Sequence, residues 1–556
     1  MTLFPTENLT FTDVRHLPIV KQFAKRIGLV DTVDAIVDTQ MELSPGVAVL
    51  AMVLDSLSGR SPLYRLKEFF CEQDTELLLG VDVPAERFCD HNLGRAMDKI
   101  YETGTQKIFS AIAKNAVDAF DIDTRKINFD TTSISVWGDY DMGSQPFDIT
   151  YGYSKDKRPD LKQFLISMLC VDRSIPILGG PKDGNASDKS VNNEVLTGIS
   201  KHMARYGLQP GAFVYVADSA FVTANNLAAA DKHRVRFLSR LPATYNECDR
   251  VIEQAVAADD WIDIGAINET QDTKKRPAAS YKAYDTTVCL HGVDYRAVVI
   301  HSSAHDKRRH KRIDRLLVTG KKRLEKACKK AVSTVYFCEP DARAAAEKLA
   351  ADTAGTYHRI QWQVAAVDKF PRGRPAKDKP RKPIGREYHL RVNIEQDTKA
   401  IAPVRIKAGC FVLVSNLSDA KLIAQWPAPE LLRLYKSQSG IERNFGFLKD
   451  PVIVNSIFLK RPHRIEALGL VLLIALLIWR LIERCLRQYI QRTGATITGW
   501  KDKPTKRPTA FMMTTKFIHI LVVKSAGQRQ LVKPLKPIHL EYLRARNVSP
   551  NVFSEP

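Results

Sequence analysis

The sequence predicts a mixed α/β protein: a sheet core covered by helices, preceded by a helical N-terminal domain and interrupted by a long β-rich insertion. Three observations carry this. Helical periodicity fills residues 1–120. Near Arg125 the texture turns β-branched and alternating, and strand-like and helix-like runs then take turns. Strand-like runs dominate residues 243–430 before helical periodicity returns.

The elements follow in order. "PGVAVLAMVLDSL" (Pro45 to Leu57) is a near-continuous apolar helix, broken by Gly59 and Pro62 before "LYRLKEFF". Two helices joined by such a turn fit a DNA-reading helix-turn-helix and ordinary bundle packing equally. A further helical pattern runs from Asn92 to Phe120. "KINFDTTSISVW" (Lys126 to Trp137) is the first strand, followed by "FLISMLCVD" and "IPILGG". "NNEVLTGISKHMARYGL" is an amphipathic helix ending at Gly207. "AFVYVADSAF" is a buried strand, "NNLAAADKH" a helix and "VRFLSRLP" another strand. In the insertion, "YKAYDTTVCLHGVDYRAVVIHS", "STVYFC", "HRIQWQVAAV", "YHLRVNI" and "GCFVLVSNL" read as strands between charged helical pieces such as "RLEKACKKAV". The resulting divisions are 1–120, 121–242, 243–430 with a basic linker at 371–383, 431–500, and a basic C-terminal segment 501–556.

Charge narrows the function. There are 83 Lys+Arg against 62 Asp+Glu, a net +21, which points to a polyanionic partner, most often nucleic acid. The nine cysteines are scattered without a C-x-x-C pair, which argues against a zinc ribbon and for reduced thiols in a cytosolic compartment. The N-terminus shows no basic n-region or apolar h-region, so no signal peptide is expected. "ALGLVLLIALLIW" (Ala467 to Trp479) is short for a membrane span, which needs about 20 residues, and reads as a buried core helix.

Three acids sit in places where a carboxylate needs a reason. Asp130 lies in the first strand, on the face of Asn128 and Thr132, opposite Ile127 and Phe129. Asp218 ends a very apolar strand, where a charge is costly unless it is paired, solvated or bound to a cation. Glu442 lies in "LYKSQSGIERNFGFLKDP" (Leu434 to Pro451), read as a helix. Tyr435, Glu442 and Lys449 are seven residues apart and would share one face, beside a core-facing stripe of Ile441, Phe445 and Leu448. If the first and fourth strands are neighbours, Asp130 and Asp218 face each other and Glu442 can complete an all-oxygen cluster. Such a cluster suits magnesium, and two ions can serve phosphoryl transfer.

On these residues the chain resembles DDE transposases of bacterial insertion sequences. One group of them carries Tyr, two residues, Arg, three residues, Glu, six residues, Lys on the glutamate helix. Tyr435, Gln438, Glu442 and Lys449 stand at that spacing, with Gln438 in the arginine position. "NFDTTS" resembles the first aspartate strand, "ADSAF" the second, and "GYSKDKRPDLKQ" (Gly152 to Gln163) a motif between them. The resemblance implies an RNase-H-like core. It implies Asp130, Asp218 and Glu442 as catalytic metal ligands, and Mg2+ as cofactor, as two ions, with Mn2+ as a substitute. Tyr435, Gln438 and Lys449 would contact DNA, although Gln438 lacks the charge of arginine. The partners would be double-stranded DNA, both terminal inverted repeats and target, and a second copy in the synaptic complex. No membrane is involved, and the location would be the bacterial cytoplasm at the nucleoid. A decayed copy that only binds DNA, and a nuclease that never joins strands, remain alternatives.

Further basic residues join the candidate DNA contacts. Lys155, Lys157, Arg158 and Lys162 lie in a turn that either binds phosphate or is merely solvated. "PRGRP", with Arg372 and Arg374, looks like the core of an AT-hook, a minor-groove element, or a plain basic linker. His301, His305 and His310 are spaced like a metal site, but the surrounding cations reject that reading. The C-terminal cations Lys501, Lys503, Lys506 and Arg507 fit DNA or a second subunit.

Overall fold

The computed structural model describes residues 9–59, 65–140, 146–267, 277–351, 353, 356–373, 380–450 and 459–556. Two units form, Met1–Ser239 with Leu431–Pro556, and Arg240–Glu430.

The first unit opens on a strand, β1 (Thr10–Asp13), where helix alone was expected. Helices α1 (Leu17–Arg26), α2 (Leu29–Ile36), α3 (Pro45–Ser58), α4 (Leu66–Cys71), α5 (Thr75–Leu79), α6 (Asp90–Thr103) and α7 (Thr105–Phe120) follow. The Ser44 hydroxyl accepts from the Val47 amide and starts α3, and Gly59 in positive φ ends it. Every residue from Pro45 to Leu57 is buried. Thus α3 is buried along its length, and the turn at 60–64 lies outside the described residues.

The sheet of this unit holds β2 (Lys126–Val136), β3 (Lys162–Val171), β4 (Ile175–Lys182), β5 (Val214–Val216) and β6 (Arg236–Arg240), in the spatial order β4-β3-β2-β5-β6. β2, β3 and β4 are antiparallel neighbours, and β5 and β6 run parallel to β2. Two helices make the connections to the parallel strands: α8 (Asp188–Ala204) before β5 and α9 (Ala224–Lys232) before β6.

The second unit, Arg240–Glu430, holds more helix than its β-rich reading suggested. It contains α10 (Asn246–Ala258), β7 (Ile262–Ala266), β8 (Ser280–Leu290), β9 (Val293–Ser302), α11 (Ser303–Ser333), α12 (Glu339–Ala351), β10 (His358–Lys369), β11 (Gly385–Gln396), α13 (Thr398–Ile406), β12 (Cys410–Ser415) and α14 (Ala420–Gln425). Its four-stranded antiparallel run is β12-β9-β8-β7, and β10 and β11 pair separately as a long hairpin. The expected strand "STVYFC" is a connection between α11 and α12. Only Tyr336 pairs there, exchanging both backbone bonds with Tyr388, before Glu339 starts the next helix.

Back in the first unit, α15 (Ala428–Lys436) begins at the boundary, and α16 (Ser439–Leu448), α17 (Pro462–Thr493), β13 (Ile497–Thr498), β14 (Pro504–Thr505), α18 (Ala510–Lys516), β15 (Leu521–Ser525), β16 (Gln528–Leu531) and α19 (Pro537–Arg544) follow. The expected single helix from Leu434 to Pro451 is two helices. Between them the amides of Ser437, Gln438 and Gly440 bond to carbonyls three residues back, a tightened turn. Tertiary contact explains the break. Ser437 Oγ donates to Asn128 Oδ1 of β2 (3.1 Å), and a side chain at Gly440 would overlap the Arg173 carbonyl in the β3–β4 turn. Residues 451–458 lie outside the description.

Helix α17 is longer than its apolar run. It is long and apolar enough to cross a membrane, but 89% of the apolar window is buried inside the protein. Its later charges have internal partners: Arg480 Nε donates to Asn444 Oδ1 (2.7 Å), and Arg484 Nε donates to Asp172 (2.6 Å).

The chain ends are joined. β1 pairs with β15, Thr10 opposite Lys524 and Asp13 opposite Leu521. On β16, Arg529 reaches Asp74 with 2.6 and 2.9 Å bonds, and both side chains are buried. Burial pushes the Asp74 carboxyl up, but the Arg529 bonds, the Leu77 amide and the Arg529 and Lys524 charges outweigh it, so its pKa lies below 3.8. Arg529→Met should therefore lower unfolding free energy by about 1.5–3 kcal/mol at neutral pH, because Asp74 loses both guanidinium bonds and keeps only the Leu77 amide and Lys524, 4.0 Å away. A depressed carboxyl pKa stabilises above its unfolded value and loses that contribution as pH falls through the folded value. The gap between wild type and variant in urea titrations should thus narrow on acidification below pH ~4.

Candidate active site

Asp130 and Asp218 come together through strand register. β2 and β5 pair in parallel as Lys126–Val214, Ile127–Tyr215 and Asn128–Val216. Two residues further along, in the same direction, stand Asp130 and Asp218. Asp130 remains within β2, and its Oδ1 accepts from the Thr131 amide (2.7 Å). Asp218 sits just past the end of β5. Its Oδ1 accepts from the Ala220 amide (3.1 Å), and Ser239 Oγ donates to its carbonyl (2.7 Å). Both aspartates are half-buried.

A third aspartate and a lysine complete this cluster. Ser187 caps α8, and Asp188 is the first residue inside it. The Thr131 hydroxyl donates to Asp188. Lys155 Nζ donates to the Thr131 carbonyl (2.7 Å) and hydroxyl (3.0 Å), and forms ion pairs with Asp188 (3.4 Å) and Asp130 (3.9 Å). Burial raises the Asp130 pKa from 3.8 to about 6; Lys155 and the Thr131 amide oppose this, and Asp218 and Asp188 add to it. Asp218 is raised too, by burial first and then by Asp188. Like charges in a poorly solvated place cannot all ionise freely.

The helix of Glu442 is fixed over the same sheet face. Asn444 is fully buried, and its amide donates to the Ser174 carbonyl (2.8 Å) and Cys170 Sγ (3.3 Å) while its oxygen accepts from Arg480. Cys170 is the cross-strand partner of Asn128, and Met168 that of Asp130, so α16 packs on the face that carries Asp130. Glu442 itself is exposed, and among the described residues its carboxylate has no ion pair. Asp130 and Asp218 are thus brought together, whereas Glu442 is placed on a neighbouring element and not among the charges that set the Asp130 pKa. Among the described residues no three His, Cys, Asp or Glu side chains converge as a metal cage.

The basic residues read as DNA contacts are held by local acids. Lys155 belongs to the aspartate cluster rather than to a free surface. Arg158 forks onto Asp160 (2.9 and 2.7 Å), and Lys162, the first residue of β3, donates to the Asp139 carbonyl. Lys449, at the end of α16, pairs with Asp156 (2.6 Å). The neighbours Lys155 and Asp156 therefore tie one loop both to the aspartates and to the glutamate helix. Tyr435 is half-buried in α15, and Gln438 is half-buried in the turn before α16, so the three-residue polar stripe is not one straight helical face. Arg372 is exposed at the tip of the β10–β11 hairpin, and Arg374 lies outside the described residues.

Asp188, Asn444 and Arg480 were not found from sequence. Asp188 reads there as an ordinary acid in a helix's first turn. Its contact with Thr131 exists only because α8 packs beside β2.

A family model described as a domain of unknown function (DUF4277) matches residues 9–114, the β1-to-α7 region that precedes the sheet. No curated protein matches the chain. Among solved structures, a cryo-electron microscopy structure of the piggyBac transposase synaptic complex with hairpin DNA is similar at a TM-score of 0.38 and 10% identity, over 92% of this chain and 83% of that one.

Replacing Asp130 tests the electrostatics of the cluster. A carboxyl with a raised folded pKa carries no penalty below its unfolded value and a full one above its folded value. Asp130→Asn should be more stable than wild type at pH 8, with the difference vanishing toward pH 4, read from urea midpoints. Lys155→Met removes a charge that holds the Asp130 pKa down, so that pKa should rise further and the Asp130→Asn gain at pH 8 should be larger in that background.

Proposed function

We propose that this chain is a DDE-type transposase that binds the terminal inverted repeats of its element, cuts DNA and joins the ends to a target. One observation carries the reading: Asp130 in β2 and Asp218, just past the end of the parallel neighbour β5, are close enough for the Asp218 charge to raise the Asp130 pKa. The sheet order β4-β3-β2-β5-β6, with β2 to β4 antiparallel and the last two strands parallel to β2, supports the reading by making the Asp130 and Asp218 strands neighbours. The spacing of Tyr435, Glu442 and Lys449 supports the same assignment.

The donor set fits magnesium in chemistry. Asp130 and Asp218 are hard oxygen donors whose mutual repulsion a divalent cation would relieve, and Glu442 is the third ligand in this proposal. Bound there, magnesium would supply charge neutralisation at the phosphoryl oxygens and an activated water or 3′-hydroxyl. The chain's own groups orient the reaction. Asn444 and Arg480 hold α16 against the sheet, and Lys155 offsets the aspartate charge. Lys449, Arg158 and Lys162 would exchange their local partners for phosphates, with Tyr435 and Gln438 alongside. Synapsis of two ends requires a second copy of the chain.

A copy that binds DNA without cutting it is the second reading. It is favoured by the exposed position of Glu442 and by the uncharged Gln438. Plasmid DNA carrying the element's boundaries, incubated with protein and magnesium, separates the two. Wild type should cut at the boundaries, while Asp130→Asn and Glu442→Gln should lose cleavage by at least a hundredfold, on the order of the loss when one essential charge stabiliser is removed, and keep DNA binding. Binding without cuts by any of the three supports the second reading. Cuts unaffected by Glu442→Gln remove that residue from the site.

A further inference from the structure

We infer that α11 is a docking ridge for the phosphate backbone of double-stranded DNA, an assignment that rests on the proposed DNA partner but not on the carboxylate site. Sequence patterns break this region into separate charged pieces. In the structure they are one helix of 31 residues, with twelve Lys and Arg against three acids.

The cations are sorted by face. Ile313, Leu317, Leu324 and Cys328 form the buried stripe, packed against Ile401 and Ala408 and against Ile360. On the opposite side Arg308, Lys311, Arg315, Lys322, Lys326 and Lys329 fall within a sector of about 60° at 3.6 residues per turn, and extend over about 32 Å at 1.5 Å per residue. All six are exposed. Among the described residues none of them forms an ion pair with an acid.

The acids of α11 lie off this line. Asp314 pairs with Arg405 of α13 (2.7 Å), Asp306 pairs with His310 (3.1 Å), and Glu325 stands about 40° outside the sector. Four neighbouring pairs on the ridge are like-charged at i,i+3 or i,i+4, which opposes helix formation rather than favouring it. A merely solvated helix face gains from interleaved acids. A row of lysines and arginines without them matches a polyanion with evenly spaced charges, and a duplex presents one along its whole length. Lys and Arg in such a row position a duplex by its phosphates and do not by themselves read its sequence.

The test uses full-length protein and labelled duplex DNA of arbitrary sequence, with affinity measured as a function of salt. The triple variant Lys322→Gln, Lys326→Gln, Lys329→Gln keeps helix propensity, since Lys and Gln are similar in that respect. Its slope of log affinity against log salt should fall by about 2–3, near 0.9 per lost phosphate contact, and its Kd at low salt should rise about tenfold or more. A control triple, Lys107→Gln, Lys201→Gln, Lys232→Gln, removes the same charge from exposed sites elsewhere and should leave the slope near wild type. An unchanged slope in the α11 variant, or an equal fall in the control, overturns the ridge while leaving the DNA partner in place. Absence of wild-type binding overturns both. Lost cleavage with normal binding bears on the carboxylate site alone.

Discussion

Two carboxylates, one within β2 and one just past the end of its parallel neighbour β5, dominate the first unit. Parallel pairing of β2 with β5, up to Asn128 opposite Val216, directs Asp130 and Asp218 toward the same place, and burial withholds the water that would screen their charges. A fold tolerates such repulsion only if something offsets it. Here Lys155 supplies part of the offset, through ion pairs to Asp130 and Asp188 and hydrogen bonds to Thr131. The rest appears as raised carboxyl pKa values. Perturbed titration in a cluster of this kind marks a candidate site for cation or proton chemistry.

Several neighbouring features hold that arrangement in place. The loop at 151–161 points Lys155 toward the aspartates and Asp156 toward Lys449. Helix α16 is locked by Asn444, which bonds to the β3–β4 turn on one side and to Arg480 on the other. Gly440 admits close approach to the Arg173 carbonyl, and the helix breaks at Ser437 and Gln438 so that this approach and the bond to Asn128 can both be made. The interruption in the helix is thus tied to how it seats on the sheet.

The remainder of the first unit supports this sheet. Helix α17 is the apolar spine, and its charged second half is partnered internally by Asn444, Asp172 and neighbouring acids. The first and last segments close on each other through β1–β15 pairing and the Arg529–Asp74 bridge. The second unit follows another logic: its longest helix contributes a narrow apolar stripe to packing and a broad basic face to solvent.

The sequence by itself determined the strands of the core, their alternation with helices, the aspartate at the end of β5 and the buried apolar character of α17. Each of these is written locally, in hydrophobic period, β-branched texture or a charge placed beside an apolar run. It also carried the spacing of Tyr435, Glu442 and Lys449. Only the tertiary structure decided that Asp188 and Lys155 enter the aspartate cluster, that β1 pairs with a strand some five hundred residues later, that the Leu434–Pro451 stretch breaks in two, and that the basic pieces of the insertion align on one ridge. Those outcomes depend on which surfaces meet. A hydrogen bond from Ser437 to Asn128, or a carbonyl resting on Gly440, joins residues hundreds of positions apart, and no local propensity encodes such a partner.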